Sequence, residues 1–113
     1  MAIIYKIFRK AEFAAFERAG ETRGAPVDVA DGYVHLSTAE QVAETAAKHF
    51  SGERNLKLLA LDSDALGDAL RWEPSRGGAL FPHLYRMLMA DDVLWARDLP
   101  SGPEGHDFRG LLP

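Results

Sequence analysis

The sequence predicts an α+β fold in a single domain, helices packed around an antiparallel or mixed sheet. Segments with helical periodicity lie in the first half of the chain, while the second half passes from strand to strand without an intervening long helix. Neither G-x-G-x-x-G nor a P-loop sequence is present, so the usual nucleotide fingerprints are missing. At 113 residues, 47% hydrophobic and 27% charged, the chain has the size and composition of one globular domain.

Ala2 to Phe8 is β-branched and aromatic and reads as the first strand, with Ile3, Tyr5 and Ile7 on one face and Ile4, Lys6 and Phe8 on the other. Lys10 to Ala19 reads as a helix from the spacing of Phe13 and Phe16, with Gly20 as its stop. Glu21 to Ala30 has no periodicity and is expected to be a loop, a candidate lid. Asp31-Gly32 signals a turn and Tyr33 to Leu36 a short strand. Ser37 with Glu40 forms an S-x-x-E capping pattern, so a helix is expected to start there, with Val42, Ala43, Ala46, Ala47 and Phe50 as its apolar stripe. That would place His35 beside a helix N-terminus, where free N–H groups favour an anion.

Asn55 to Asp62 is almost wholly apolar and reads as the central strand. A helical turn over Ser63 to Leu66 and a short strand over Leu70 to Trp72 follow. Asp91-Asp92 marks a turn, and Val93 to Leu99 is the last strand. The domain is expected to span residues 1–99. The Gly- and Pro-rich residues 100–113 are expected to be a poorly packed tail.

The net charge of −4 and pI of about 5.5 argue against a general DNA binder, although Arg71, Arg76 and Arg86 can still form a local phosphate patch. The absence of cysteine excludes disulfides, a thiolate nucleophile and Cys-based zinc sites. Met1 to Phe8 is too short for a signal peptide, and no apolar run approaches the roughly 20 residues of a membrane span. No membrane partner and a cytoplasmic location are therefore expected.

Chemistry concentrates in Arg71 to Leu88, which holds arginines, aromatics, His83, a Gly-Gly pair and prolines. Pro74, Gly77, Gly78 and Pro82 oppose a regular helix, so Glu73 to Phe81 is expected to be an ordered loop leading into a strand from His83 to Met89. In that strand His83 and Tyr85 share a face and can grip a ring, or simply form an ordinary polar face. Arg76 beside Gly77 is the candidate phosphate clamp, since a guanidinium binds phosphate bidentately and glycine admits close approach; an exposed turn arginine is the plainer alternative. His35 either meets a ribose hydroxyl or acts as acid or base, or else holds two strands together. Ser37 and Thr38 serve as caps, with a phosphate contact as an added role. A site of His35, His83 and Glu73 for a metal has no support in the spacing, so no metal is expected.

Ile4-Tyr-Lys-Ile7, Asp31-Gly-Tyr-Val-His-Leu-Ser-Thr38 and Leu70-Arg-Trp-Glu-Pro-Ser-Arg-Gly-Gly-Ala-Leu-Phe-Pro-His-Leu-Tyr85 together resemble the bacterial family catalogued as domain of unknown function 952, over about residues 3–99. The resemblance implies an ADP-ribosyltransferase-like fold, a bent, split sheet with flanking helices and a cleft that holds NAD in active relatives. It implies His35 at the nicotinamide-side ribose, and His83 or Tyr85 against the nicotinamide. NAD, or another small phosphorylated nucleotide, is then the expected ligand, as the substrate of an ADP-ribosyl or 2′-phosphate transfer. The catalytic assignment is His35 and His83. The cofactor-binding assignment is His35, Ser37, Thr38, Arg76, Gly77, His83 and Tyr85. The late glutamate of toxin-like relatives has no match, Asp98 being a poor substitute. A non-catalytic ligand-binding or protein-interaction domain is the alternative.

Overall fold

A strand apolar on both sides must be covered on both sides, and β1 (Ile3–Arg9) is. Ile4 and Phe8 enter one core with Phe16, Val34, Leu59, Leu61, Leu84 and Leu88. Tyr5 and Ile7 enter a second with Val42, Ala46, Leu56, Leu58 and Leu99. The computed structural model describes residues 2–113, apart from the side chain of Arg76. Within it the chain is a single α+β domain built on antiparallel sheets.

Helix α1 (Lys10–Ala19) starts where Glu12 accepts the Arg9 N–H at 2.8 Å, and ends as the sequence predicts at Gly20, whose φ of 76° is left-handed. Its Phe16 packs on Phe8, ring centroids 6.1 Å apart. The next segment corrects an expectation. Residues 21–30, expected as a loop and candidate lid, contain a short strand, β2 (Glu21–Thr22), and helix α2 (Pro26–Asp31). This helix is six residues long, too short to show periodicity. Its signals were punctuation: Pro26 in the first turn and Gly32 after the end.

Strands β3 (Val34–His35) and β4 (Ser37–Thr38) follow, and the chain changes sheet between them at Leu36, whose N–H donates to Pro82 O at 3.0 Å. Ser37 therefore does not cap a helix. It pairs with Tyr5 of β1, and that extended pairing postpones helix α3 (Val42–His49). Gln41 takes over locally, its Oε1 accepting the Thr38 N–H at 3.0 Å. In α3 only Val42 and Ala46 of the expected stripe are fully buried; Ala43 and Ala47 are exposed, since one face alone meets the sheet.

β5 (Leu56–Asp62) is the predicted central strand, lying between β1 and the last long strand. Asp62 caps the turn after it by accepting the Asp64 N–H. Next come β6 (Leu70–Pro74) and β7 (Leu80–Leu84). The expected loop over Glu73 to Phe81 is therefore the end of a hairpin, turning through Gly77 (φ 67°) and Gly78 (φ 83°). β7 is the middle strand of the sheet β3-β7-β6 despite Pro82, whose carbonyl takes the Leu36 N–H. The strand expected over His83 to Met89 is likewise broken: β7 stops at Leu84, and β8 (Leu88–Met89) pairs with β2.

β9 (Val93–Leu99) has the predicted bounds and completes the sheet β4-β1-β5-β9. β10 (Ser101–Gly102) and β11 (Gly105–His106) then form a small hairpin. The poorly packed tail is also corrected. Phe108, Leu111 and Leu112 pack against the second core, and His106 Nε2 lies 2.9 Å from Glu53 O. Among the described residues no helix is long and apolar enough to cross a membrane.

Candidate functional site

His35 and His83 are direct partners across β3 and β7, so both imidazoles project from one face, ring centroids 5.4 Å apart. The β6–β7 register sets Arg71 opposite His83 and Glu73 opposite Phe81, which brings these side chains to the same face. Val34 and Leu84 turn the other way, into the first core. Tyr33 fills the space between the rings, with centroids 4.7 Å from His35, 4.3 Å from His83 and 5.1 Å from Tyr85. The Arg71 guanidinium lies 4.8 Å from the Tyr85 ring centre, a cation–π contact.

Between this face, β1, α2 and α3 is a cleft of about 550 Å³. Lys6, Asp31, His35, Ser37, Phe81 and His83 are among its walls. Both sheets contribute, because the segment through β3 and β4 belongs to each in turn.

Asp28 organises the cleft wall from within. It is 1% exposed. Its Oδ2 accepts from Lys6 Nζ at 2.6 Å and Ala25 N at 2.7 Å; its Oδ1 accepts from His35 N at 3.0 Å and meets His35 Nδ1 at 2.6 Å. Burial works to raise the Asp28 pKa, but the donors from His35 and Lys6 outweigh it and hold the carboxyl below its usual range. Burial also pulls Lys6 below the usual lysine range, against the pull of Asp28. An ionised carboxylate only accepts, so His35 Nδ1 carries a proton toward Asp28. Asp31 Oδ2 stands 3.0 Å from the other nitrogen, Nε2. His35 is thus fixed between a buried carboxylate and a half-exposed one.

His83 has its own carboxylate. Glu73 Oε1 accepts the Tyr85 hydroxyl at 2.7 Å and lies 2.8 Å from His83 Nδ1. The Tyr85 bond, then the His83 bond, holds the Glu73 pKa below its usual value, and the same carboxylate raises that of Tyr85. Burial, with Asp31 and Glu73 adding to it, raises that of Tyr33.

Of the residues singled out in the sequence, His35, His83 and Ser37 line the cleft. Ser37 Oγ is 2.9 Å from Thr45 Oγ1. Tyr85 is on the histidine face but 40% exposed, outside the cleft walls, and is tied to the site through Glu73. Thr38 and Gly77 are not among the described walls, Gly77 being exposed at the hairpin turn. The Arg76 side chain lies outside the described residues. Among the described residues no group of His, Asp and Glu is arranged to hold a metal ion, His35, His83 and Glu73 included.

Sequence reasoning missed Asp28, Lys6, Tyr33 and the part played by Glu73. Two signals were available. A lysine amid the apolar residues of β1 needs a buried carboxylate to accompany it inside. A hairpin centred on Gly77 puts Glu73 beside Phe81 and on the face of His83.

The family model described as "Protein of unknown function (DUF952)" matches residues 7–96. The chain is also similar to solved structures of Protein CC0527 from Caulobacter crescentus. The crystal structure has a TM-score of 0.90 at 48% identity, covering 94% of each chain. A crystal structure of a double mutant of that protein has a TM-score of 0.90 at 47% identity, again covering 94% of each chain. Its solution NMR structure has a TM-score of 0.84 at 50% identity, covering 94% of this chain and 91% of that one. No curated protein matches the chain.

Proposed function

The chain belongs to the DUF952 family of proteins of unknown function, and we propose that it binds a phosphorylated nucleotide, NAD foremost, in the cleft between its two sheets. The observation that carries this reading is the pair His35 and His83, partners across two strands, lining a cleft of about 550 Å³, with Tyr33 in tilted contact with both rings. That volume suits a ligand of nucleotide size, and a few polar groups converging in a mostly apolar cleft are typical of small-molecule sites. The sheet parting at Leu36 also supports the resemblance to the split sheet of ADP-ribosyltransferases.

In this reading His35 and His83 meet the ribose and ring end of the ligand, with Tyr85 behind them. Ser37 lies at the cleft wall between the sheets. Phosphate contacts fall to Arg76, with Gly77, Ser37 and Thr38 as the further groups for it. If the site is catalytic, the reaction is transfer of an ADP-ribosyl group or a 2′-phosphate, with cationic charge on the sugar stabilised by neighbouring carboxylates.

A second reading is a non-catalytic ligand-binding domain. It is favoured by His35, whose ring nitrogens both already face carboxylates. Calorimetric titration of NAD, ADP-ribose and a 2′-phosphorylated nucleotide tests the first step. Micromolar binding, about −8 kcal/mol, that weakens at least tenfold in folded His35→Ala and Arg76→Ala supports the cleft as the site. Product analysis of the bound nucleotide then separates the two readings. A folded wild type that binds none of the three ends the nucleotide reading.

A further inference from the structure

His83 is only 3% exposed, yet it lines the cleft. Its Nδ1 faces Glu73 at 2.8 Å, and Nε2 has no hydrogen-bond partner among the described residues. A buried polar atom without a partner is uncommon, because its desolvation goes uncompensated. The bond from Tyr85 and the held-down pKa keep Glu73 ionised, hence acceptor-only. Nδ1 is then the protonated nitrogen of the neutral ring, and Nε2 offers a lone pair. What fits an imidazole lone pair is a hydroxyl or N–H donor on the ligand.

From this geometry we infer that His83 Nε2 is the acceptor for a ribose hydroxyl, positioned by Glu73 through the opposite ring nitrogen, so that the site selects ribosyl over deoxyribosyl ligands. The inference rests on the nucleotide reading above and names the sugar that reading requires. His35 is the less suitable acceptor, since its Nε2 already meets Asp31 Oδ2 at 3.0 Å. Asp31 adds a carboxylate beside the same sugar position and can take the neighbouring hydroxyl of a vicinal diol. A buried site built around a substrate hydroxyl discriminates strongly against an analogue lacking it, because the protein acceptor is then left unpaired.

The experiment compares NAD with analogues lacking the 2′- or 3′-hydroxyl of the nicotinamide-side ribose, in wild type, His83→Ala and Glu73→Ala. Wild type is expected to bind at least one deoxy analogue tenfold or more weakly than NAD. His83→Ala is expected to abolish that ratio, and Glu73→Ala to shrink it, by freeing the ring to adopt the other tautomer. Nitrogen-15 NMR of the unliganded histidine rings gives an independent readout: neutral His83 should carry its proton on Nδ1 in wild type and lose that preference in Glu73→Ala. Should His83→Ala fail to fold, Glu73→Ala and the ring spectrum still decide. NAD binding with equal affinity for both analogues overturns the inference and leaves the nucleotide reading intact. Failure of NAD, ADP-ribose and a 2′-phosphorylated nucleotide alike to bind overturns that reading; ribose 5-phosphate against 2-deoxyribose 5-phosphate is then the comparison, and no preference between them overturns this inference too. A proton on Nε2 of neutral His83 overturns it whatever binds.

Discussion

The Asp28 carboxylate, fully enclosed, lies 2.6 Å from His35 Nδ1 and 2.6 Å from Lys6 Nζ. One buried group therefore fixes a cleft histidine and neutralises a buried lysine on the neighbouring sheet. Removing one partner of such a pair leaves an uncompensated charge, typically at a cost of about 3–5 kcal/mol. Asp28→Ala is expected to lose stability in that range by urea denaturation. The double substitution Lys6→Met, Asp28→Leu should recover part of it, since neither charge remains. A single variant as stable as wild type would show that the pair does not anchor the site.

The same carboxylate contributes to the acid response. Its folded pKa lies below its unfolded value of about 3.9, so the unfolded chain binds more protons as pH falls. The stability it contributes is complete above about pH 5 and is lost as pH drops toward and through the folded value. Urea midpoints measured between pH 6 and pH 2 should therefore fall more steeply for wild type than for Lys6→Met, Asp28→Leu. Parallel curves would place the acid sensitivity elsewhere.

Gly24 is shaped to this carboxylate. It has a φ of 102°, and a Cβ built there would overlap Asp28 Oδ2. Gly32, at φ 87°, has open space around it. Gly32→Ala should cost only backbone strain, about 1–2 kcal/mol. Gly24→Ala should cost more, and should also shift the His35 ring resonances, because Asp28 must move. Equal costs and unmoved resonances would refute the close approach.

These residues mark the limit of what the chain discloses unaided. The long strands and α1 were legible, because apolar and β-branched runs in β1, β5 and β9, and the helical spacing of Phe13 and Phe16 in α1, extend over enough residues to be read. The Ser37–Glu40 pattern misled because a local capping signal competed with a non-local pairing, Ser37 with Tyr5, and the pairing won. α2 was invisible because its single turn and a half buries only Asp28, a residue that reads as polar surface. Glu73 was passed over because its role depends on the hairpin register, not on its neighbours in sequence. His35 and His83 were found from composition and motif; their pairing required the strands.

The final segment provides a test of packing. Phe108, Leu111 and Leu112 are partly buried against the second core. Half-burial of three large apolar side chains corresponds to about 2–4 kcal/mol in all. Ending the chain after His106 is thus expected to lower the thermal midpoint by on the order of 10 °C. A truncated protein that melts with wild type would mean these contacts add nothing to stability.

Glu73 accepts from Tyr85 and His83 on a single oxygen, and the Tyr85 bond is the stronger influence on its pKa. Tyr85→Phe deletes that donor while keeping the ring that meets Arg71 and Tyr33. The Glu73 carboxyl should then titrate closer to the ordinary value of about 4.3, followed by carbon-13 shifts of the side-chain carboxyl. The His83 bond and the Arg71 charge remain, so the rise should be partial, and Tyr85→Phe combined with His83→Ala should raise it further. If the carboxyl titrates identically in wild type and Tyr85→Phe, Glu73 is not held by the tyrosine in solution. Its hold on the His83 tautomer would then have to rest on the single remaining bond.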